Sequence, residues 1–126
     1  MTPEEILEVD AKRNYPPGTD VRELITNINN EIRQGGELIQ HKNVLIVYRT
    51  VEPGVVEHHS FNADTPANLV EANEKLWEML KRAGAKQAYT TYTNPKISQL
   101  IEQEVKGFNI NITEDEDGVY TATVEL

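Results

Sequence analysis

The period of the apolar positions changes repeatedly between residues 55 and 108. Val55-Val56-Glu57-His58-His59-Ser60-Phe61 is a short β-prone run, and Asn62-Ala63-Asp64-Thr65-Pro66 is a turn that carries a helix start. Leu69, Ala72, Leu76, Leu80 and Ala83 then recur at helical spacing, with Val70 and Trp77 widening the stripe. Gly84 stops that helix. Lys86 to Tyr92 is β-prone again, and Asn94-Pro95 opens another helix. A strand, a helix and a strand in this order predict two parallel strands joined by a crossover helix.

The flanking segments are as legible. Thr2-Pro3-Glu4-Glu5 combines a capping hydroxyl, a proline suited to the first helical position and two acids at the positive end of the dipole. Ile6, Leu7 and Val9 give this helix a short apolar side before the rigid Tyr15-Pro16-Pro17-Gly18 loop. Asp20 caps a second helix, whose stripe is Val21, Leu24, Ile25, Ile28 and Ile32, and Gly35-Gly36 ends it. Glu37 to Gln40 and Asn43 to Val51 are β-prone, with a turn near His41-Lys42. Val44-Leu45-Ile46-Val47-Tyr48 is nearly continuous apolar, the pattern of a strand covered on both faces. Glu52-Pro53-Gly54 is a turn, so the next strand is expected to pair antiparallel. Phe108 to Thr113 and Val119 to Leu126 alternate around the acidic turn Glu114-Asp115-Glu116-Asp117-Gly118, which predicts a hairpin. Leu24, Ile28, Ile46, Leu69, Leu76, Leu80 and Leu100 are expected to share one core.

A chain of 126 residues is expected to be one domain, residues 1–126, large enough to hold a core without staples. It has no cysteine, which removes disulfides, a thiolate nucleophile and Cys-ligated zinc. No apolar run approaches the length of a bilayer span, and the N-terminus lacks a signal-peptide layout. The formal net charge of -9 argues against a broad nucleic-acid face and against anionic membrane surfaces.

The whole order is helix, helix, three strands, helix, strand, helix, two strands. It resembles the fold of the GNAT-type N-acetyltransferases. The resemblance is carried most closely by Ala83-Gly84-Ala85-Lys86-Gln87-Ala88-Tyr89-Thr90-Thr91-Tyr92-Thr93-Asn94-Pro95-Lys96 and by Gly107-Phe108. It implies an α/β fold: a single-domain, acetyltransferase-like, mixed and mostly antiparallel sheet of about six strands flanked by helices. It also implies a splay between two parallel strands that holds acetyl-CoA, with the pyrophosphate on the amides of a Q/R-x-x-G-x-G/A loop.

Here the matching loop is Asn62-Ala63-Asp64-Thr65-Pro66-Ala67. Asn62 stands for the Gln or Arg, Thr65 for the first glycine, and only Ala67 fits. Pro66 has no N–H to donate, and Asp64 repels phosphate. The same residues make an ordinary helix cap. The tyrosine that serves as acid in many such enzymes falls seven residues after the asparagine, and that position is Ile101. Tyr89 and Tyr92, on the preceding strand, are within reach of the cleft. Asn94 matches a position that often contacts the cofactor and is equally an N-cap before Pro95.

The expectation is therefore a non-catalytic protein of this fold that acts by binding a protein partner or its own copy. It is expected to lie in the cytoplasm, as small acidic bacteriophage virion or accessory proteins do in the host or the virion. No cofactor and no metal are expected. The alternative is a small acetyl-CoA-dependent N-acetyltransferase. Its base would be Glu57, acting through water, and its cofactor contacts Asn62, Ala63, Thr65, Ala67 and Asn94. His58 and His59 are adjacent on a strand and face opposite sides, so they cannot readily share a metal. The acidic turn lacks the spacing of a calcium loop.

Overall fold

The computed structural model describes residues 1–126. Four helices and six strands follow in the expected order: α1 (Pro3–Asn14), α2 (Val21–Arg33), β1 (Glu37–His41), β2 (Val44–Glu52), β3 (Val55–Asn62), α3 (Pro66–Arg82), β4 (Gln87–Tyr92), α4 (Pro95–Glu104), β5 (Asn109–Glu114) and β6 (Tyr120–Glu125). Each helix starts at a residue whose side chain accepts a backbone N–H: Thr2, Asp20, Thr65 and Asn94. Thr2 and Glu5 complete a reciprocal capping box. Proline follows the cap directly in α1, α3 and α4, where its missing N–H costs nothing.

The strands form one sheet in the order β1-β2-β3-β4-β6-β5. All neighbours are antiparallel except β3 and β4, which the α3 crossover makes parallel. The β1–β2 turn places Lys42 at φ 53°, and the β2–β3 turn places Gly54 at φ 78°, a conformation that suits glycine. The parallel ladder is short. It runs from Val55↔Gln87 to Glu57↔Tyr89 and stops, although β3 continues to Asn62 and β4 to Tyr92. The two strands diverge from there.

The sheet separates two cores, and this corrects the expectation of one. Under α3 lie Val44, Ile46, Val56, Ala72, Leu76, Trp77, Leu80, Ala88 and Val124. Under α1 and α2 lie Ile6, Leu7, Ile28, Leu45 and Val47. Ile28 is thus on the opposite face from Leu76, because β2 is covered on both sides and its alternate residues serve different layers. Leu24, Leu69 and Leu100 are only half-buried. Leu69 packs against the edge of the α3 core, and α4 has no fully buried residue. No helix is long and apolar enough to cross a membrane.

β6 is an interior strand between β4 and β5. A chain cut after Thr113 would leave β4 with an open edge and expose Val56, Ala88 and the α3 core, so it is expected to aggregate. A truncation that stays soluble and melts cooperatively would contradict this.

Candidate functional site

Where β3 and β4 part, the sheet opens into a cleft of about 460 Å³. Leu69, Trp77, Leu100 and Ile101 line it from the side of α3 and α4, and Tyr15 and Phe61 line it from the side of α1. Asn62 and Asn94 also border it. Of the expected cofactor contacts, Ala63, Thr65 and Ala67 lie outside this lining; from α3 it is Leu69, Val70, Asn73 and Trp77 that reach the cleft.

An anion at such a place needs free N–H groups. Here the loop uses nearly all of its own. The N–H of Asn62 donates to Asp10 Oδ1 at 2.9 Å. That of Ala63 reaches the Asn43 carbonyl at 3.0 Å. The N–H of Asp64 reaches Asn62 Oδ1 at 2.8 Å, and that of Thr65 reaches Asp64 Oδ1 at 2.7 Å. Pro66 has none, and the N–H of Asn68 goes to Thr65 Oγ1 at 3.2 Å. Only Ala67, in the first turn of α3, keeps a free amide in the loop. Asp64 also accepts from the Asn43 N–H and from Asn68 Nδ2. The Asn68 amide, then the Thr65 and Asn43 N–H groups, hold its carboxyl below the usual range, so it stays charged beside this amide.

Asp10 and Arg13 were not singled out in the sequence, yet they close the loop from α1. Asp10 is 5 % exposed and also accepts from Asn14 Nδ2. Burial raises its pKa, against the lowering effect of the Asn62 N–H. Arg13 Nη1 donates to the carbonyl oxygens of Asn62 and Asp64, at 3.3 and 3.0 Å. A signal was present: Asp10 falls on the helical stripe of Ile6 and Leu7, and a carboxylate on an apolar stripe requires a buried donor.

Glu57 holds the last paired position of the parallel ladder; it and its partner Tyr89 lie outside the cleft lining, which His59 reaches. His59 Nε2 lies 2.7 Å from Glu57 Oε1, and the Tyr89 hydroxyl donates to Glu57 Oε2 at 3.2 Å. Burial first, then the Glu57 charge, raises the Tyr89 pKa. Glu57 and His59 share the α1/α2 face as expected, while His58 faces α3 and accepts from Trp77 Nε1 at 3.1 Å. Glu31 of α2 comes within 4.8 Å of the Glu57–His59 pair, a constellation sequence spacing does not show. Arg49 already lies 3.9 Å from Glu31, which supplies positive charge there.

Tyr89 and Tyr92 face opposite sides of the sheet. Tyr92 borders the cleft on the α4 side, bonds Ser98 Oγ at 2.8 Å and stacks on Tyr120. Ile101 lines the cleft with no hydroxyl to offer. Asn94 caps α4 by accepting from the Lys96 N–H at 3.0 Å. Asp115 organises the acidic turn by accepting from the N–H groups of Asp117 and Val119.

No protein-family model and no curated protein matches the chain. Solved structures do. The chain is similar to a ribosomal-protein-alanine N-acetyltransferase from Brucella melitensis, with a TM-score of 0.60 and 14 % identity over 99 % of this chain and 97 % of that one. It is similar to an N-acetyltransferase from Staphylococcus aureus Mu50, with a TM-score of 0.55 and 15 % identity over 99 % and 94 %. A spermidine N-acetyltransferase from Vibrio cholerae gives 0.54 and 15 % over 96 % and 88 %. The chain has the GNAT N-acetyltransferase fold across its described length. Identity this low carries the fold and no further.

Proposed function

We propose that this is a non-catalytic protein of the N-acetyltransferase fold that acts by binding another protein. The observation that supports this reading is the loop from Asn62 to Asn68, five of whose amides are spent on Asp10, Asn43, Asn62, Asp64 and Thr65, leaving Ala67 alone free. The residues present do not fit the pyrophosphate of acetyl-CoA. Each lost or opposed contact to a charged group costs about 1–3 kcal/mol. Two of them would take a micromolar site to roughly millimolar, since about 1.4 kcal/mol is tenfold. A virion or accessory role in a bacteriophage is one setting for such a protein, and it rests on the small, acidic build alone.

Calorimetric titration of acetyl-CoA tests the reading. The expected result is no measurable heat and no thermal shift below about millimolar ligand. Saturable binding in the micromolar range would overturn it.

A second reading has its own support. Glu57, His59 and Tyr89 form a hydrogen-bonded group at the point where the strands part, and the similar solved structures are N-acetyltransferases by name. In that reading the chain is a small acetyl-CoA-dependent N-acetyltransferase with Glu57 as general base. Acetyl transfer to an amine that Glu57→Gln abolishes would establish it.

A further inference from the structure

We propose that the gap between β3 and β4 takes an extended, uncharged polypeptide segment of a partner protein as an added strand. The inference rests on the protein-binding function proposed above and specifies where that contact is made.

In an antiparallel ladder, alternate residues turn both N–H and C=O toward the neighbouring strand, and the residues between turn theirs away. The phase on β3 is fixed at its end. Ala63 N–H reaches the Asn43 carbonyl on the β2 side, whereas Asn62 N–H goes the other way, to Asp10. Ser60, two residues earlier, therefore turns its N–H and C=O into the gap. On β4 the Gln87 N–H reaches the Gly54 carbonyl on the β3 side, and the Lys86 carbonyl accepts from Leu126 on the β6 side. Tyr89, within the ladder, and Thr91, beyond it, therefore turn their backbone groups toward β3. The ladder between the strands ends at Glu57↔Tyr89, so the backbone groups of Ser60 and Thr91 have no strand partner. Both residues line the cleft.

Unpaired backbone groups at Ser60 and Thr91, one residue on each wall, are a short template for a peptide, whose own donors and acceptors alternate along its two edges. The template has a closed end. At Asn62 the N–H is held by Asp10 and the C=O by Arg13. The open stretch of β3 is about four residues long, roughly 13 Å at the rise of a strand.

Charge selects the occupant. Arg13, which borders the cleft, is committed to two carbonyl oxygens, so an acidic segment finds no free cation there. Asp64 at the loop and the net charge of -9 repel it further. A basic segment finds Asp10 already engaged by Asn62 and Asn14. It would bury its charge among Leu69, Trp77, Leu100 and Ile101. A neutral strand suits both walls, because its alternate side chains point to the α3/α4 side and to Tyr15 and Phe61.

The test is amide hydrogen exchange, read by NMR on the labelled protein with a millimolar blocked hexapeptide of alternating threonine and valine. The Ser60 and Thr91 amides are expected to slow by at least about tenfold. Alternate N-methylation of the hexapeptide should abolish the effect. So should Ser60→Pro, read at the Thr91 amide, which removes the gap-facing N–H together with the hydroxyl that bonds Asn73; Ser60→Ala, which removes the hydroxyl alone, should keep the protection. Thr91→Pro, read at the Ser60 amide, is the second variant should the first fail to fold. No protection by the hexapeptide would overturn the inference, as would equal protection by the N-methylated peptide, by a glutamate-containing one or by pantetheine. Those results leave the proposed function standing. Protection by acetyl-CoA at micromolar concentration would instead overturn that function.

Discussion

Acidification from pH 7 to pH 4.5 is expected to remove about 2–3 kcal/mol of stability through His58 alone. The side chain is fully buried on β3. Its Nε2 accepts from the Trp77 indole, so the ring proton is on Nδ1, and that atom has no partner. A charge there would have neither water nor a counter-ion. Burial, with a smaller contribution from His59, pushes its pKa from 6.5 down to about 3. In the unfolded chain the imidazole takes up a proton below pH 6.5, while the folded protein refuses it until about pH 3. Protons therefore favour the unfolded state throughout that window, and stability falls as pH falls. His58→Gln keeps an acceptor for Trp77 without a titrating ring. Urea melts at pH 7, 5.5 and 4.5 should show a smaller loss in the variant than in the parent. Parallel profiles would show that His58 does not carry this effect.

Leu76→Ala is expected to cost about 2–5 kcal/mol. Leu76 is 1 % exposed and packs in the cluster that joins α3 to β2, β3, β4 and β6. Truncation leaves a cavity among Ile46, Trp77, Ala88 and Val124, whose strands are fixed by their ladders and cannot move in to fill it. Leu100→Ala on half-buried α4 should cost about 1 kcal/mol or less. Equal midpoint shifts for the two variants in denaturant melts would remove the distinction between core and cleft wall.

The elements were legible because local chemistry determines them. Thr65-Pro66 and Asn94-Pro95 mark helix starts by hydrogen bonding and by the shape of proline, and both caps are in place. The turn at Glu52-Pro53-Gly54 gave the antiparallel β2–β3 pair. The division of the core was not legible. A run such as Val44 to Val47 shows that both faces are covered, but not which helix covers which face. The replacement of the glycine loop by Asn62, Asp64, Thr65 and Pro66 was visible in the sequence. The residues that take up its amides were only partly so. Asp10 bonds a backbone group 52 positions away, and no period connects the two. Glu57 and His59 were placed on one face by strand alternation, whereas Glu31 and Tyr89 join them only through the packing of α2 and β4.

The place of β6 in the sheet also affects how the chain emerges during synthesis. β1 to β4 form a run of neighbours in sequence order, and they can pair as soon as Tyr92 has cleared the ribosome. The next strand to appear, β5, has no partner among them, because its only neighbour is β6. At the usual pace of about 5–20 residues per second, the interval before β6 arrives lasts about 1–6 seconds. During it, β4 presents an unpaired edge on the side that β6 will cover, where Ala88, Thr90 and Tyr92 turn their backbone groups outward. A nascent chain in this state is a substrate for holdase chaperones. A translational pause between codons 92 and 120 would prolong it, whereas a pause before β4 would not.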